Sequence, residues 1–396
     1  MQDNSAVSPI PVLHVITRLI VGGAQENTML TAAMLDPDRY AVDVISGPQT
    51  GSEGSLIEEV RARGIPLTIE PALVREISPV KDLLALVRLA RFILRGRYAI
   101  VHTHSSKAGI LGRWAAWLAG TPIIIHTVHG WGHHERQHPI VRRFYVLLER
   151  VTQRVTDKLI VVSPRNTEKG LADEIASPAK YVTVRSGIEL DRFRQPARPR
   201  EAVRAELGIP LDAPVVGSVT RLSPQKAPLD LVKAVARVTE QRPDVHFVAV
   251  GGGPLRAEVE AQVAAAGLAG RFHLTGLRRD VPDLLHSFDV FVLTSLWEGL
   301  PRVLIQAMAA GLAVVATAVD GSAEAVADGV NGLLTPPGDP QALAAALLRL
   351  LGDPALAAQM GAAGRERADE FGARKMVDDI AALYETLLAD LSYNNK

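Results

Sequence analysis

Short apolar runs alternate with longer amphipathic stretches along nearly the whole chain. Residues 12–16, 41–46, 66–69, 98–103, 122–128, 158–163 and 181–185 read as buried strands, and helical periodicity covers 56–63, 80–95, 108–119 and 140–155, with a further helix ending near Leu35. A second series follows, with strands at 214–220, 245–250, 272–276, 288–294 and 312–319. Helices at 302–310 and 341–351 accompany it, the latter capped by Asp339, and further helices run to Asp390. Strands that alternate with helices specify doubly wound parallel sheets with helices on both faces. A chain of 396 residues is too long for one core, so two such α/β domains are expected. The polar stretch 193–200, with Pro196 and Pro199, reads as the linker between them. That sets domains at 1–195 and 196–374, a last helix within 375–396, and a disordered tail over 392–396. No repeat of solenoid period is evident.

The most informative stretch is 294–339. A strand ends near Thr294, the chain turns at Trp297-Glu298-Gly299, Pro301 opens a helix, and Gly311 closes it before the next strand. Such a βαβ unit places its turn at the carboxyl edge of the sheet, where ligands bind. The amides of Gly299, Leu300 and the residues after Pro301 form a helix N-terminus suited to an anion. Glu298 reads equally as a helix-capping acid or as an acceptor for sugar hydroxyls. A membrane span over 299–319 is rejected, because Pro301, Arg302 and Gln306 interrupt it and Gly311 divides it into elements too short for ~30 Å of hydrocarbon.

Composition removes several classes of function. There is no cysteine, so disulfides, thiolate metal sites and thiol nucleophiles are excluded. The first residues carry neither a basic n-region nor an apolar core, and a cytoplasmic enzyme is the expectation. The net charge of zero is unevenly divided: residues 1–196 hold 24 Lys and Arg against 19 Asp and Glu, and the remainder holds 19 against 24. Arg88, Arg91, Arg95 and Arg97, then Arg136, Arg142, Arg143, Arg150 and Arg154, lie on helical stretches that also carry apolar residues. These read either as solvated faces or as surfaces for anionic lipid on the inner face of the plasma membrane. No nucleic-acid partner is indicated.

Three further places carry candidate chemistry. Gly22-Gly23 after the first strand is not the G-x-G-x-x-G dinucleotide fingerprint, but it would let backbone approach a ligand. Arg221 and Lys226 follow the first strand of the second domain and suit a diphosphate. Seven of the eleven histidines lie between His102 and His138, yet His102 and His104 alternate on a strand, His133 and His134 sit in a loop, and no acid stands at helical spacing from them. No converging metal-ligand set is visible, and metal-independent chemistry without a cofactor is expected. His129, at the end of a strand, reads as either a structural or a functional imidazole.

The run S-x-x-E-G-x-P with Q-A-M-A-x-G after it, then a strand and D-G-x-x-E from Asp320 to Glu324, resembles the signature of the family 4 glycosyltransferases. R-L-x-x-x-K at 221–226 fits the same family, and HTHSSKAG followed by HTVHGW resembles a subset acting in bacterial surface-polysaccharide assembly. The resemblance implies the GT-B fold, two Rossmann-like domains facing a central cleft, with the last helix crossing back to the first domain. It further implies retaining transfer from a nucleotide-diphosphate sugar, with UDP favoured, to a glycan or lipid-linked acceptor. His129 and Glu298 become catalytic-centre residues. Gly22, Gly23, Arg221, Lys226, Gly299, Leu300, Pro301 and Gln306 become donor-binding, and Ser105 and Lys107 acceptor-binding.

One residue departs from the pattern. Most of the family has a second glutamate where Gln306 stands, assigned to the ribose hydroxyls, and an amide binds ribose without a charge-assisted bond. Two alternatives stay open: a nucleotide-sugar epimerase on the same fold, and a catalytically silent scaffold in a polysaccharide assembly complex. The residues select neither the sugar, the base, the acceptor nor the linkage.

Overall fold

The computed structural model describes residues 8–49, 54–133, 137–319 and 321–394. His134, Arg136 and Asp320, which the sequence reading singled out, and the tail residues Asn395 and Lys396 lie outside that set. The chain divides into two compact units: residues Met1–Gly187 with Ala373–Lys396, and residues Ile188–Gly372.

Unit 1 runs β1 (Ile10–Ile16), α1 (Gly23–Met34), β2 (Tyr40–Ser46), α2 (Ile57–Ala62), β3 (Leu67–Ile69), α3 (Pro79–Gly96), β4 (Ile100–His104), α4 (Ser106–Leu118), β5 (Ile123–Val128), α5 (Pro139–Thr152), β6 (Lys158–Val161), α6 (Pro164–Ala172) and β7 (Tyr181–Thr183). Its seven strands are parallel in the order β3-β2-β1-β4-β5-β6-β7. The order reverses between β1 and β4, which makes their carboxyl ends the switch point of the sheet. Right-handed crossovers put α3, α4 and α5 on one face, where Ala85, Leu89, Ile93 and Ala115 pack on Leu13 and Val15.

Unit 2 runs α7 (Asp191–Arg194), α8 (Arg200–Glu206), β8 (Val215–Val219), α9 (Pro228–Gln241), β9 (His246–Val250), α10 (Arg256–Ala265), β10 (Phe272–Gly276), α11 (Val281–Ser287), β11 (Val290–Leu293), α12 (Arg302–Ala309), β12 (Ala313–Thr317), α13 (Ser322–Ala325), β13 (Gly332–Thr335), α14 (Pro340–Gly352) and α15 (Pro354–Arg367). Its six parallel strands follow the order β10-β9-β8-β11-β12-β13, with the switch point between β8 and β11. Asp339 caps α14 as expected, its Oδ1 accepting from Gln341 N and Ala342 N at 3.0 and 2.9 Å.

The last helix, α16 (Ala373–Asn394), belongs to unit 1. Met376, Val377, Ile380 and Tyr384 cover the sheet face that carries Val12, Ile100 and Ile125. The helix continues through Ser392 and Tyr393, where the sequence suggested a disordered tail. Residues 193–200 are not a linker, because they are fastened within unit 2. Ala197 N and Arg198 N donate to Asp283 Oδ1 at 2.7 and 3.2 Å, and Arg200 and Arg204 both pair with Asp289. The chain leaves unit 1 at Gly187 and returns at Ala373. Ile188 and Gly372 form a parallel bridge just inside unit 2.

Candidate functional site

At the switch point of unit 2 the loops after β8 and β11 are joined residue by residue. Lys226 Nζ pairs with Glu298 Oε1, and Ser295 Oγ donates to the same oxygen at 2.5 Å. Leu296 N donates to Gln225 O at 2.8 Å, Gln225 Nε2 to Trp297 O at 2.9 Å, and Thr294 Oγ1 to Lys226 O at 2.7 Å. The ion pair is largely shielded, with side-chain exposures of 19% for Lys226 and 8% for Glu298. Glu298 thus binds the lysine through one carboxylate oxygen. Arg221, in the same loop, is exposed.

Two glycine contacts fix this constellation. Gly321 packs so closely on the Glu298–Pro301 turn that a Cβ there would lie 1.9 Å from Gly299 O. The glycine of D-G-x-x-E thus has a packing reason. On the other side Gly251, at φ 131°, would bring a Cβ to 2.0 Å from Thr220 O, and Leu222 N donates to Gly252 O at 2.9 Å. Residues 251–253 follow the strand expected over 245–250. The signal for this contact was the glycine triplet itself, which lets two loops touch backbone to backbone.

Leu300 is buried, and Pro301, at φ −74° and ψ 98°, is the residue before α12 rather than its first helical residue. Its lack of an N–H costs nothing there. Gln306 sits on α12, half-buried, with no side-chain hydrogen bond among the described residues.

The carboxyl edge of unit 1 collects Gly22, Gly23, Ser105 and His129. Gly22 is the extended residue before α1, which starts at Gly23. Ser105 precedes α4 at φ 62° and joins β4 to the end of β1: its Oγ accepts from Thr17 N at 3.2 Å and lies 2.7 Å from Thr17 Oγ1. Lys107 is turned elsewhere. Its Nζ pairs with Asp82 at 2.5 Å and donates to Glu76 O, tying α4 to the start of α3.

The histidines behave differently from the sequence expectation. The register of β1 on β4 sets His14 opposite His102. His14, His102 and His104 then bring one ring nitrogen each within 4.8 Å of one another, so a converging set exists after all. Five of its six ring nitrogens are already committed, and the sixth, His14 Nε2, is buried without a partner among the described residues. His14 Nδ1 meets His104 Nε2 at 2.9 Å, His104 Nδ1 meets His129 Nε2 at 3.1 Å, and His102 is held by Tyr384 OH and Thr127 Oγ1, both at 2.6 Å. A metal would have to displace these bonds, so the donor set is built as a hydrogen-bonded column. Burial holds His14 down to about 3 and keeps His102, His104 and His126 well below the ordinary imidazole value.

Comparison with known proteins places this geometry. Residues 199–367 match the family model "Glycosyl transferases group 1", and residues 22–187 match "Glycosyl transferase 4-like domain". An Escherichia coli UDP-Gal:alpha-D-GlcNAc-diphosphoundecaprenol alpha-1,3-galactosyltransferase is 32% identical over 387 residues, covering 96% of this chain and 98% of that one. The chain is a family 4 glycosyltransferase. A D-inositol 3-phosphate glycosyltransferase of Streptomyces avermitilis is 34% identical over 70% of this glycosyltransferase and 63% of its own length. Among solved structures, Anabaena HepE in complex with UDP and glucose superposes with a TM-score of 0.81 at 22% identity, covering 95% of this chain and 100% of that one. Sucrose-phosphate synthase of Thermosynechococcus elongatus does so at 0.78 and 26%, covering 96% and 100%. The two units are thus the two Rossmann-like domains of the GT-B fold class.

Proposed function

We propose that this glycosyltransferase moves a sugar from a UDP-sugar to a hydroxyl of a lipid-diphosphate-linked glycan, with retention at the anomeric carbon, in cell-surface polysaccharide synthesis. The observation that carries the reading is the Lys226–Glu298 pair at the switch point of unit 2, which joins the loop that carries Arg221 to the turn before α12. The E. coli relative, matched over 98% of its length, supports the donor and acceptor class.

In this reading Lys226 and Arg221 face the departing diphosphate. Preorganised charge aimed at a developing oxyanion is worth several kcal/mol in the transition state. Donor phosphates would compete with Glu298 for the lysine, which frees the carboxylate for a hydroxyl of the transferred sugar. His129 offers its imidazole to the sugar, and the leaving phosphate accepts the acceptor's proton, so no separate base is assigned.

The test is mass spectrometry of a GlcNAc-diphospholipid acceptor incubated with a panel of nucleotide sugars. The expected product is the acceptor plus one sugar, with one UDP released per transfer. Conversion of the donor without acceptor would instead identify an epimerase. Transfer unaffected by Glu298→Ala would remove the assigned site.

A lipid-linked acceptor implies a membrane surface, and the helical face of unit 1 suits one. Of the eighteen large apolar side chains that are exposed among the described residues, thirteen lie between Ile77 and Val151. On α5, Ile140, Phe144, Leu147 and Val151 form an outward stripe at helical spacing, and Val80, Leu84 and Val87 do so on α3. Exposed Lys81, Arg91, Arg95, Arg143 and Arg154 border them. No single helix among the described residues is long and apolar enough to cross a membrane. We assign this face to anionic lipid at the cytoplasmic leaflet, bound by apolar insertion and by basic residues worth about 1 kcal/mol each. Co-sedimentation with phosphatidylglycerol vesicles should be lost in Phe144→Asp/Leu147→Asp and weakened by salt. Equal pelleting of wild type and variant would refute it.

A further inference from the structure

We infer that His14 and His104 are positioning residues that fix the tautomer of His129. The inference stands on the unbroken chain His14 Nδ1···His104 Nε2 (2.9 Å) and His104 Nδ1···His129 Nε2 (3.1 Å). The three rings lie nearly parallel along it, with centroids 5.2 and 5.4 Å apart and tilts of 15° and 28°.

A neutral imidazole has one N–H and one lone pair, on opposite nitrogens. Burial keeps His14 and His104 neutral, so each bond in the chain needs one donor and one acceptor. If His14 donates to His104 Nε2, the proton of His104 must sit on Nδ1, and it donates to His129 Nε2. If His14 accepts instead, both bonds reverse. The two bonds therefore share one sense, so the tautomers of His14, His104 and His129 are locked to one another. A mixed sense would leave two lone pairs or two N–H groups facing each other at one junction, losing a buried hydrogen bond.

The far end of the chain is closed. His14 Nε2 is buried with no hydrogen-bond partner among the described residues. A proton entering at His129 has no exit there, so the chain sets orientation and does not conduct. His102 stacks against both His14 and His104 but stays outside the chain, its two nitrogens taken by Tyr384 and Thr127. His129 is then held in one tautomer instead of an average of both. The catalytic consequence rests on the assignment of His129 to the sugar; the tautomer coupling does not.

The experiment is histidine-selective 15N NMR of the full chain, which distinguishes a protonated from an unprotonated ring nitrogen. In wild type, His14, His104 and His129 should show the same single tautomer. In His14→Asn the amide can turn either oxygen or nitrogen to His104. The fold and the bond survive while the sense is released, and His129 should shift to an average of both tautomers. His102→Asn removes an equally buried ring outside the chain and should leave His129 unchanged. His14→Asn should also lower kcat/KM about twofold, in proportion to the fraction of His129 that leaves the productive tautomer. A His129 spectrum identical in wild type and His14→Asn would overturn the inference, as would opposed tautomers within the wild-type chain. If the tautomer shifts while kcat/KM does not, the coupling holds and the assignment of His129 to the sugar falls.

Discussion

Acidification should destabilise this protein through the buried histidine column, by an amount His14 alone makes calculable. His14 is fully buried and held down to about 3, against 6.5 for an exposed imidazole. Between those values the unfolded chain binds a proton that the folded chain refuses, so stability rises with pH and is lost as pH falls below 6.5. Integrating from pH 7 to pH 5 gives about 2 kcal/mol from this residue, growing to about 4 kcal/mol at pH 3. His102 and His104, held down by burial and by the neighbouring rings, shift the balance the same way. Against the roughly 5–15 kcal/mol of a typical domain, a loss of 2 is large. Urea unfolding followed by tryptophan fluorescence reads it, because Trp114, Trp117 and Trp131 report on unit 1 and Trp297 on unit 2. Carboxylates also titrate as pH falls, so the informative quantity is the difference from His14→Asn. That variant should lose about 2 kcal/mol less than wild type between pH 7 and pH 5. Equal losses would refute the claim that the column is neutral because it is dry.

Other substitutions probe the loops of unit 2. Lys226→Met should raise the donor KM and lower kcat, together costing 100-fold or more in kcat/KM, on the order of 3 kcal/mol; steady-state kinetics with the preferred UDP-sugar checks this, and an unchanged kcat would take the lysine away from the leaving group. Gly321→Ala should displace the Glu298–Pro301 turn, since its new carbon would fall 1.9 Å from Gly299 O. Calorimetric titration with UDP should show weakened binding with secondary structure retained. Gln306→Glu should keep turnover and leave the donor KM equal or lower, a difference on the order of 1 kcal/mol; complete loss of turnover would contradict a ribose contact at this position.

Much of this architecture is legible in the chain because local rules and tertiary fold agree. The buried runs became parallel strands within a residue or two of their expected limits, and the turn at Trp297-Glu298-Gly299 falls at the carboxyl edge of β11 as its glycine, proline and helix signals require. What escaped depends on groups far apart in sequence. His14 stands alone in an apolar strand, and only the pairing of β1 with β4 brings it to His102 and His104. The segment 193–200 has the proline and charge of a linker, yet Asp283, more than eighty residues on, holds its amides. Nothing in the spacing of Lys107 announces that Asp82, twenty-five residues earlier, stands beside it. The edge strand β13, Gly332–Thr335, is absent from the expected set.

The central claim is that unit 2 carries the donor site of a retaining sugar transfer, and the configuration of the product tests it most directly. The enzyme should be given an α-linked UDP-sugar with the lipid-linked acceptor, and the new glycosidic bond read by the anomeric coupling in proton NMR, with Glu298→Ala run in parallel. The account predicts an α-linkage from the wild-type enzyme and none from the variant. A β-linkage, or the same α-linked product from Glu298→Ala, would contradict it.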